Sequence, residues 1–357
     1  MSEIRARFTL QLESFTLDAA FNAPGVGVTA LFGPSGSGKT TLLRCIAGLE
    51  RAQGSLHVNG DAWQDDTTFV PTHRRPLGYV FQEASLFPHL SVRANLEYGY
   101  KRIKPAERRV PLEQVVEWLG LDRVIDRGNP ARLSGGERQR VAIGRALLTS
   151  PRVLLMDEPL SALDTASKQE ILPYLEHLHR ELSIPVFYVS HALDEVARLA
   201  DHLVLLENGR AIASGGLGDT LARLDLPTAH VDDAGAVIEA AVGLHDEVYH
   251  LSRLDFPGGH LWVGKVEQPF GTRLRARVLA RDVSIATQAP QGSSINNILN
   301  AHIEEIRDEG PDKMMVRMKV GESQTLLSRI TRRSRDQLGL IEGRYVCAQV
   351  KSVALMQ

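Results

Sequence analysis

Three groups of residues have the types and spacing to act on a nucleoside polyphosphate. The first, Gly33-Pro34-Ser35-Gly36-Ser37-Gly38-Lys39-Thr40, fits the pattern G-x-x-x-x-G-K-[ST]. It follows an apolar run and opens a helical one, which is the context that pattern requires. Glycines there let successive backbone N–H groups curl around an anion without Cβ clashes, and a helix N-terminus adds a favourable dipole. Lys39 then reaches the β- and γ-phosphates and the Thr40 hydroxyl ligates Mg²⁺, with Thr41 beside it in the first helical turn.

The second group is Asp157-Glu158, which closes the apolar run VLLMD, together with His191, which follows VFYVS. A carboxylate at the carboxyl end of a strand beside a phosphate loop belongs at Mg²⁺ or its water shell. Glu158 is then placed to hold the attacking water as general base. The plainer alternative is an Asp-Glu helix cap ahead of Pro159. His191 reads either as a core or helix-terminal histidine or as an imidazole bonding a γ-phosphate oxygen in the same crevice. The third group is Leu133-Ser134-Gly135-Gly136-Glu137-Arg138-Gln139-Arg140. This is a second glycine-bearing turn capping a helix, with the Ser134 hydroxyl and the N–H groups of Gly135 and Gly136 as phosphate donors.

Positioning these groups calls for an α/β framework. The runs 26–32, 77–82, 153–157 and 186–190 are short and apolar without polar alternation, as expected of parallel strands covered on both faces. Segments 41–49, 167–182 and 192–200 carry apolar residues at helical spacing. The stretch 84–150 is mostly helical and reads as a subdomain inserted in the α/β core. Beyond about residue 230 the period becomes two: Met314, Val316, Met318 and Val320 alternate with Met315, Arg317 and Lys319. Turns such as Pro257-Gly258-Gly259 and Glu342-Gly343 punctuate this half, predicting a small β-barrel or sandwich. The pair Arg74-Arg75 reads as solvated charge.

Composition bounds the partners. A chain of 357 residues predicts two to three domains. Lys+Arg of 41 against Asp+Glu of 43 argues against nucleic acid as the main partner. Hydrophobic residues at 43% exclude wholesale disorder. Cys45 and Cys347 sit in apolar contexts, so a disulfide scaffold and a cysteine zinc site are not expected, and a reducing compartment fits. No run approaches the roughly 18 apolar residues of a membrane span, and the N-terminus lacks the apolar core of a signal peptide. The expectation is a soluble chain.

Residues 133–140 match the LSGGQ-type signature of the ATP-binding-cassette (ABC) ATPases. The phosphate loop at 33–40, Gln82, the signature, Asp157-Glu158, Ser161-Ala162-Leu163-Asp164 and His191 stand in that family's order across roughly residues 1–210. The resemblance implies an α/β P-loop NTPase over 1–230, with a helical subdomain at about 84–150. It also implies a head-to-tail homodimer, in which ATP on one phosphate loop is covered by Ser134, Gly135, Gly136 and Asp164 of the other copy. Thr40, Gln82 and Asp157 would hold Mg²⁺. Glu158, His191 and Gln82 would be catalytic, with Gln82 sensing the γ-phosphate. Phe15, with Phe21 as rival, would stack on adenine.

In the second half, Arg281-Asp282-Val283-Ser284, residues 294–299, Leu338-Gly339-Leu340, Gly343 and Lys351-Ser352 resemble importer ATPases with a molybdate-binding, Mop/TOBE-type tail. The implied organisation is a linker and first β segment over 231–290, then an all-β OB-like barrel over 291–357. The chain as a whole resembles the ATP-binding subunits of molybdate importers. That likeness implies ATP hydrolysis driving uptake of molybdate or tungstate, with two copies of a transmembrane permease as direct partners. A periplasmic molybdate-binding protein would be an indirect partner, and the chain would lie peripherally at the cytoplasmic face of the inner membrane. The apolar stretch 84–92, next to Gln82, is placed to receive a short helix from the membrane partner. Mop-type sites usually carry an arginine where Asn296 stands. Ser294, Asn297, Lys351 and Ser352 remain as oxyanion donors, against the plainer reading of turn caps and a solvated strand end. Importers of ferric iron, sulfate, polyamine or sugar share the cassette and a barrel-like tail. Soluble cassette ATPases of translation or repair carry tandem cassettes or a long coiled-coil insert, and neither is seen here.

Overall fold

The computed structural model describes residues 2–356. It divides into two compact units, Met1–Gly215 and Gly216–Gln357.

The first unit runs β1 (Glu3–Gln11), β2 (Thr16–Pro24), β3 (Gly27–Phe32), α1 (Lys39–Ala47), β4 (Gln53–Val58), β5 (Asp61–Gln64), β6 (Leu77–Val80) and α2 (Val92–Tyr100). It continues with α3 (Leu112–Trp118), α4 (Gly135–Leu147), β7 (Val153–Asp157), α5 (Thr165–Glu181), β8 (Pro185–Ser190), α6 (Leu193–Leu199), β9 (His202–Glu207) and β10 (Arg210–Gly216). One sheet has the order β2-β1-β4-β5, the other β10-β9-β3-β8-β7-β6, parallel from β9 through β6. Every residue of β7 and β8 is buried, because both faces of the sheet are covered. On one face Leu31, Leu155 and Phe187 share a cluster with Leu42 and Ile46 of α1 and with Phe8 and Leu17 of the antiparallel sheet. On the other, Met156, Val186 and Tyr188 meet Leu175 and Leu178 of α5 and Leu199 of α6. Double coverage is why these runs show no polar alternation. Truncating Phe187 to alanine would cost about 3–5 kcal/mol.

The parallel register sets the site. Phe32 lies opposite Ser190, Asp157 opposite Val189, and Val80 opposite Met156. The residues that leave these strands, beginning at Gly33, His191, Glu158 and Phe81, therefore emerge along a single edge. Within 84–150, α4 packs on α2 and α3. Ser91 caps α2 by accepting from the Ala94 amide at 3.1 Å.

Arg75 departs from the solvated reading. It is 4% exposed, and its Nη1 donates to the carbonyls of Cys45 (3.1 Å) and Ile46 (2.6 Å) at the end of α1. The Cys45 carbonyl also accepts from the Gly48 amide at 3.0 Å, and such last-turn carbonyls are the acceptors a helix end offers to a buried guanidinium.

The second unit contains α7 (Leu217–Leu221), β11 (Gly235–Asp246), β12 (Leu251–Phe256), β13 (Gly259–Gly264), β14 (Arg273–Leu279), β15 (Val283–Ala286) and β16 (Asn297–Asp308). It ends with β17 (Lys313–Val320), β18 (Gln324–Thr331), α8 (Arg332–Leu338), β19 (Tyr345–Val350) and β20 (Ala354–Met356). Two five-stranded sheets, β13-β12-β11-β14-β20 and β15-β19-β16-β17-β18, form an all-β, OB-like half-barrel with every registered pair antiparallel. A single cluster running from Ala236 to Val350 fills it, so 231–290 shares the core of 291–357. The unit begins ahead of residue 230, because Leu224, Ala229 and Ala234 pack on Ala280, Met315 and Leu327. That cover also buries Met315, which the period-two pattern assigns to the wet face.

Candidate active site

The phosphate loop joins β3 to α1, and its glycines answer steric demands. A Cβ on Gly33 would stand 2.1 Å from the Leu206 carbonyl oxygen. Gly38 caps α1 at φ +97° with no side-chain cap, leaving the first-turn amides of Lys39, Thr40 and Thr41 as donors. A Cβ on Gly38 would lie 2.6 Å from Phe15 Cζ. The Phe15 ring thus rests half-buried against the loop, where a base held by the loop's phosphates would meet it. Phe21 is 5% exposed and packs edge-to-face on Phe187 with ring centroids 6.1 Å apart, so the rival offers adenine no face.

Lys39 is 5% exposed, and its Nζ donates to the carbonyls of Gly33 and Pro34, both at 2.9 Å. Burial pulls its pKa below the usual ammonium value, while the nearby Glu158 and Asp157 carboxylates act in the opposite direction. Asp157, 6% exposed, accepts from Thr40 Oγ1 at 2.8 Å and from Tyr79 Oη at 3.1 Å. Burial raises its pKa above the ordinary carboxylate range, and those two hydrogen bonds pull the other way. Tyr79 was not foreseen from the sequence. It stands opposite Leu155 in β7, and nothing in the run LGYVFQ marks its hydroxyl as an Asp157 partner. Burial and the Asp157 charge push its pKa up.

Among the described residues no group of three or more His, Cys, Asp or Glu gathers to hold a metal. Thr40 and Asp157 instead offer one hydroxyl and one carboxylate in mutual contact. That partial oxygen set suits Mg²⁺, which completes its shell with phosphate oxygens and water. Gln82 follows β6 on an exposed loop. It lines a cleft of 360 Å³ with Leu86, Pro88, Gly135, Gln139 and Leu163.

Glu158 adopts φ +44°, a left-handed conformation unusual for a side-chain-bearing residue. Its amide donates to Val189 O at 3.1 Å, and its carbonyl accepts from the Ser161 amide at 3.1 Å and hydroxyl at 2.9 Å. Strain held from both sides in this way is typical of functional positions. Glu158 Oε2 lies 3.3 Å from Nδ1 of His191, whose side chain is 52% exposed. The helix-cap and core-histidine alternatives do not describe this pair, because α5 begins at Thr165 and His191 faces solvent.

Ser134 caps α4 in a capping box: its hydroxyl accepts from the Glu137 amide at 3.1 Å and its own amide donates to Glu137 Oε2 at 2.8 Å. Gly135 and Gly136 form the first turn, with Gly136 buried. Asp164 caps α5 through the Ser167 amide at 2.9 Å, a bond that lowers its pKa.

The candidate oxyanion donors lie in the second unit. Asn297 is opposite Val350, which places Ser294 and Lys351-Ser352 at one end of the β16–β19 pair. Asn297 itself is 7% exposed; its Oδ1 accepts from the Trp262 amide at 2.6 Å and its Nδ2 donates to the Trp262 carbonyl at 2.9 Å. Its amide therefore ties β16 to β13 and is spent within the fold, contrary to the expectation of a ligand donor. Ser294, Lys351 and Ser352 are exposed.

Comparison with known proteins agrees with this division. Residues 18–161 match the ABC transporter family, and residues 293–357 match the TOBE domain. A protein of Methylococcus capsulatus named molybdenum import ATP-binding protein ModC is 60% identical over 359 residues, covering 100% of both chains. Its namesake in Thiobacillus denitrificans is 61% identical, covering 99% of this chain and 98% of that one. An ATP-binding cassette solved as a dimer in a post-hydrolysis state bound to ADP and Pi is similar to 61% of this chain and 99% of its own, with 27% identity and a TM-score of 0.50. Full-length likeness at this level, together with the two matched families, shows that the chain belongs to the family of molybdenum-import ABC ATPases that carry a C-terminal TOBE domain.

Proposed function

We propose that this chain is the ATP-hydrolysing, energy-coupling subunit of a molybdate importer. The observation that carries the reading is the Glu158–His191 pair, 3.3 Å apart on the strand edge that also carries the phosphate loop. The cargo is taken from the names of the relatives, whose likeness runs through both units.

In this reading Lys39 exchanges its bonds to the Gly33 and Pro34 carbonyls for β- and γ-phosphate oxygens, a charge-assisted gain. Thr40 and Asp157 hold Mg²⁺, with Gln82 reaching in from its loop. When bound, Mg²⁺ supplies charge neutralisation to the phosphates. Glu158 orients the attacking water and takes up its proton at the carboxylate. His191 donates to a γ-phosphate oxygen from its place beside Glu158. Phe15 stacks on adenine. One chain holds one phosphate loop and one signature turn, so Ser134, Gly135, Gly136 and Asp164 of a second copy cover the nucleotide, and a homodimer hydrolyses two ATP.

No helix among the described residues is long and apolar enough to cross a membrane. In this reading the path for the anion belongs to a permease dimer, with this chain at its cytoplasmic face. The cleft of 360 Å³ between the Gln82 loop and α4 is the docking place for a permease helix, since it joins Leu86 and Pro88 to the residue that senses the γ-phosphate. The test is reconstitution with a molybdate-type permease and its loaded binding protein in proteoliposomes. ATP hydrolysis should rise with molybdate and not with sulfate, ferric iron, spermidine or maltose. Stimulation by one of those instead would reassign the cargo, and no hydrolysis with any of them would remove the importer reading.

A further inference from the structure

Immediately behind His191 lies a buried polar knot that the hydrolysis reaction, as described above, does not use. Glu195, in the first turn of α6, is 6% exposed. Its Oε2 accepts from Tyr188 Oη at 2.9 Å and from Ser190 Oγ at 2.8 Å, and its Oε1 accepts from Lys168 Nζ at 2.9 Å. Ser190 Oγ in turn accepts from the Ala192 amide at 3.0 Å. The residues on either side of His191 are thus fastened to the same hydroxyl, and that hydroxyl is fastened to Glu195. A carboxylate withdrawn from water is costly unless its lone pairs are met. Here three donors meet them, two from the last residues of β8, which leads into the turn, and one from α5.

We propose that Glu195 is a positioning residue for His191. It acts through Ser190 to fix the 190–192 turn, so that the imidazole stays within reach of Glu158 and of the γ-phosphate. The proposal rests on the reading of His191 as a γ-phosphate contact. Lys168 adds a second link, because it sits one helical turn beyond Asp164, the cap of α5 and a proposed contact of the second copy. The turn that carries His191 is thereby tied to the element that meets the partner chain. A knot with a purely structural role would stabilise the fold without influencing the imidazole.

Glu195→Gln keeps the volume and one acceptor while removing the charge. In the full-length chain it should lower kcat by about tenfold with the KM for ATP within about twofold, the pattern of an interaction that matters in the transition state. Ser190→Ala should lower kcat by about threefold to tenfold, and it serves if the Glu195 variant folds poorly. The decisive measurement is a cycle with His191→Ala under single-turnover conditions, where slow residual hydrolysis stays readable. Glu195→Gln should change that residual rate by less than about twofold. An equal loss in both backgrounds, or no loss in the parent, overturns the proposal. If His191→Ala hydrolyses ATP at the parental rate, the reading of His191 fails instead. The His191 imidazole NMR signal, assigned by its absence in His191→Ala, separates the two cases. It should move in Glu195→Gln and Ser190→Ala and stay in place in Glu176→Gln, which alters a carboxylate paired with Arg198 on the same two helices. A signal unmoved in all three variants overturns the positioning role whatever the kinetics.

Discussion

The strand edge of the first unit and the β16–β19 end of the second hold their polar residues in opposite ways. At the nucleotide edge Lys39 and Asp157 are buried with shifted pKa values, and Glu158 is kept in left-handed backbone. These arrangements cost stability in the protein alone, and in the proposed reading phosphate and Mg²⁺ would complete them. At the other end the Asn297 amide bonds to both backbone groups of Trp262, and Ser294, Lys351 and Ser352 are exposed. Nothing there is held at a cost. The difference teaches that a polar residue in a family-like position signals a site when the fold maintains it against its own preference. A buried residue whose bonds are all met internally signals structure.

The largest expected effect tests the costly edge. Glu158→Gln should lower ATP hydrolysis by about 100-fold or more while leaving nucleotide binding within a few-fold, and it should accumulate an ATP-bound dimer by size-exclusion chromatography. Turnover at the parental rate would show that Glu158 is not the base. Lys39→Ala should weaken ATP affinity itself by about tenfold or more in equilibrium titration, since it removes charge-assisted bonds to phosphate. Undiminished affinity would mean that the loop amides alone hold the nucleotide.

Asp157→Asn sharpens the contrast through stability. The folded state holds Asp157's pKa above its unfolded value, so ionised Asp157 destabilises the nucleotide-free fold. That penalty is full above the folded pKa, fades as pH falls through it, and is gone below the unfolded value. The asparagine variant should therefore melt a few degrees higher than the parent near neutral pH, roughly 2–4 °C per kcal/mol for a unit of this size. The gain should vanish in acid, and Mg²⁺-dependent hydrolysis should be lost at every pH. Asn297→Ala is the smallest and opposite case. It should destabilise the second unit by about 1–3 kcal/mol by leaving Trp262 backbone groups unmet. Any molybdate heat measured on the full chain by isothermal titration should persist. Loss of that heat without loss of melting temperature would return Asn297 to the ligand.

Much of the nucleotide site was legible because its chemistry is backbone chemistry. A glycine pattern at the start of a helix constrains both conformation and contact, so the turns at 33–40 and 133–140 are legible in the sequence itself. Arg75 and Tyr79 were illegible for the same physical reason as each other. Each is defined by a partner far along the chain, Arg75 by the end of α1 and Tyr79 by Asp157, and local spacing carries no record of such contacts. Met315 misled the period-two reading because residues 224–234 cover a face that alternation alone marks as wet.

The sequence by itself determined the phosphate loop, the signature turn, the strand-end carboxylates and the period change between the two halves. Each of these depends on a few neighbouring residues and their local backbone preferences. Only the tertiary structure decided that Phe21 is core while Phe15 lies on the loop, that Asn297 is spent on Trp262, and that Glu195 stands behind His191. Those outcomes depend on which strands become neighbours and in what register, and that is settled by packing the whole core.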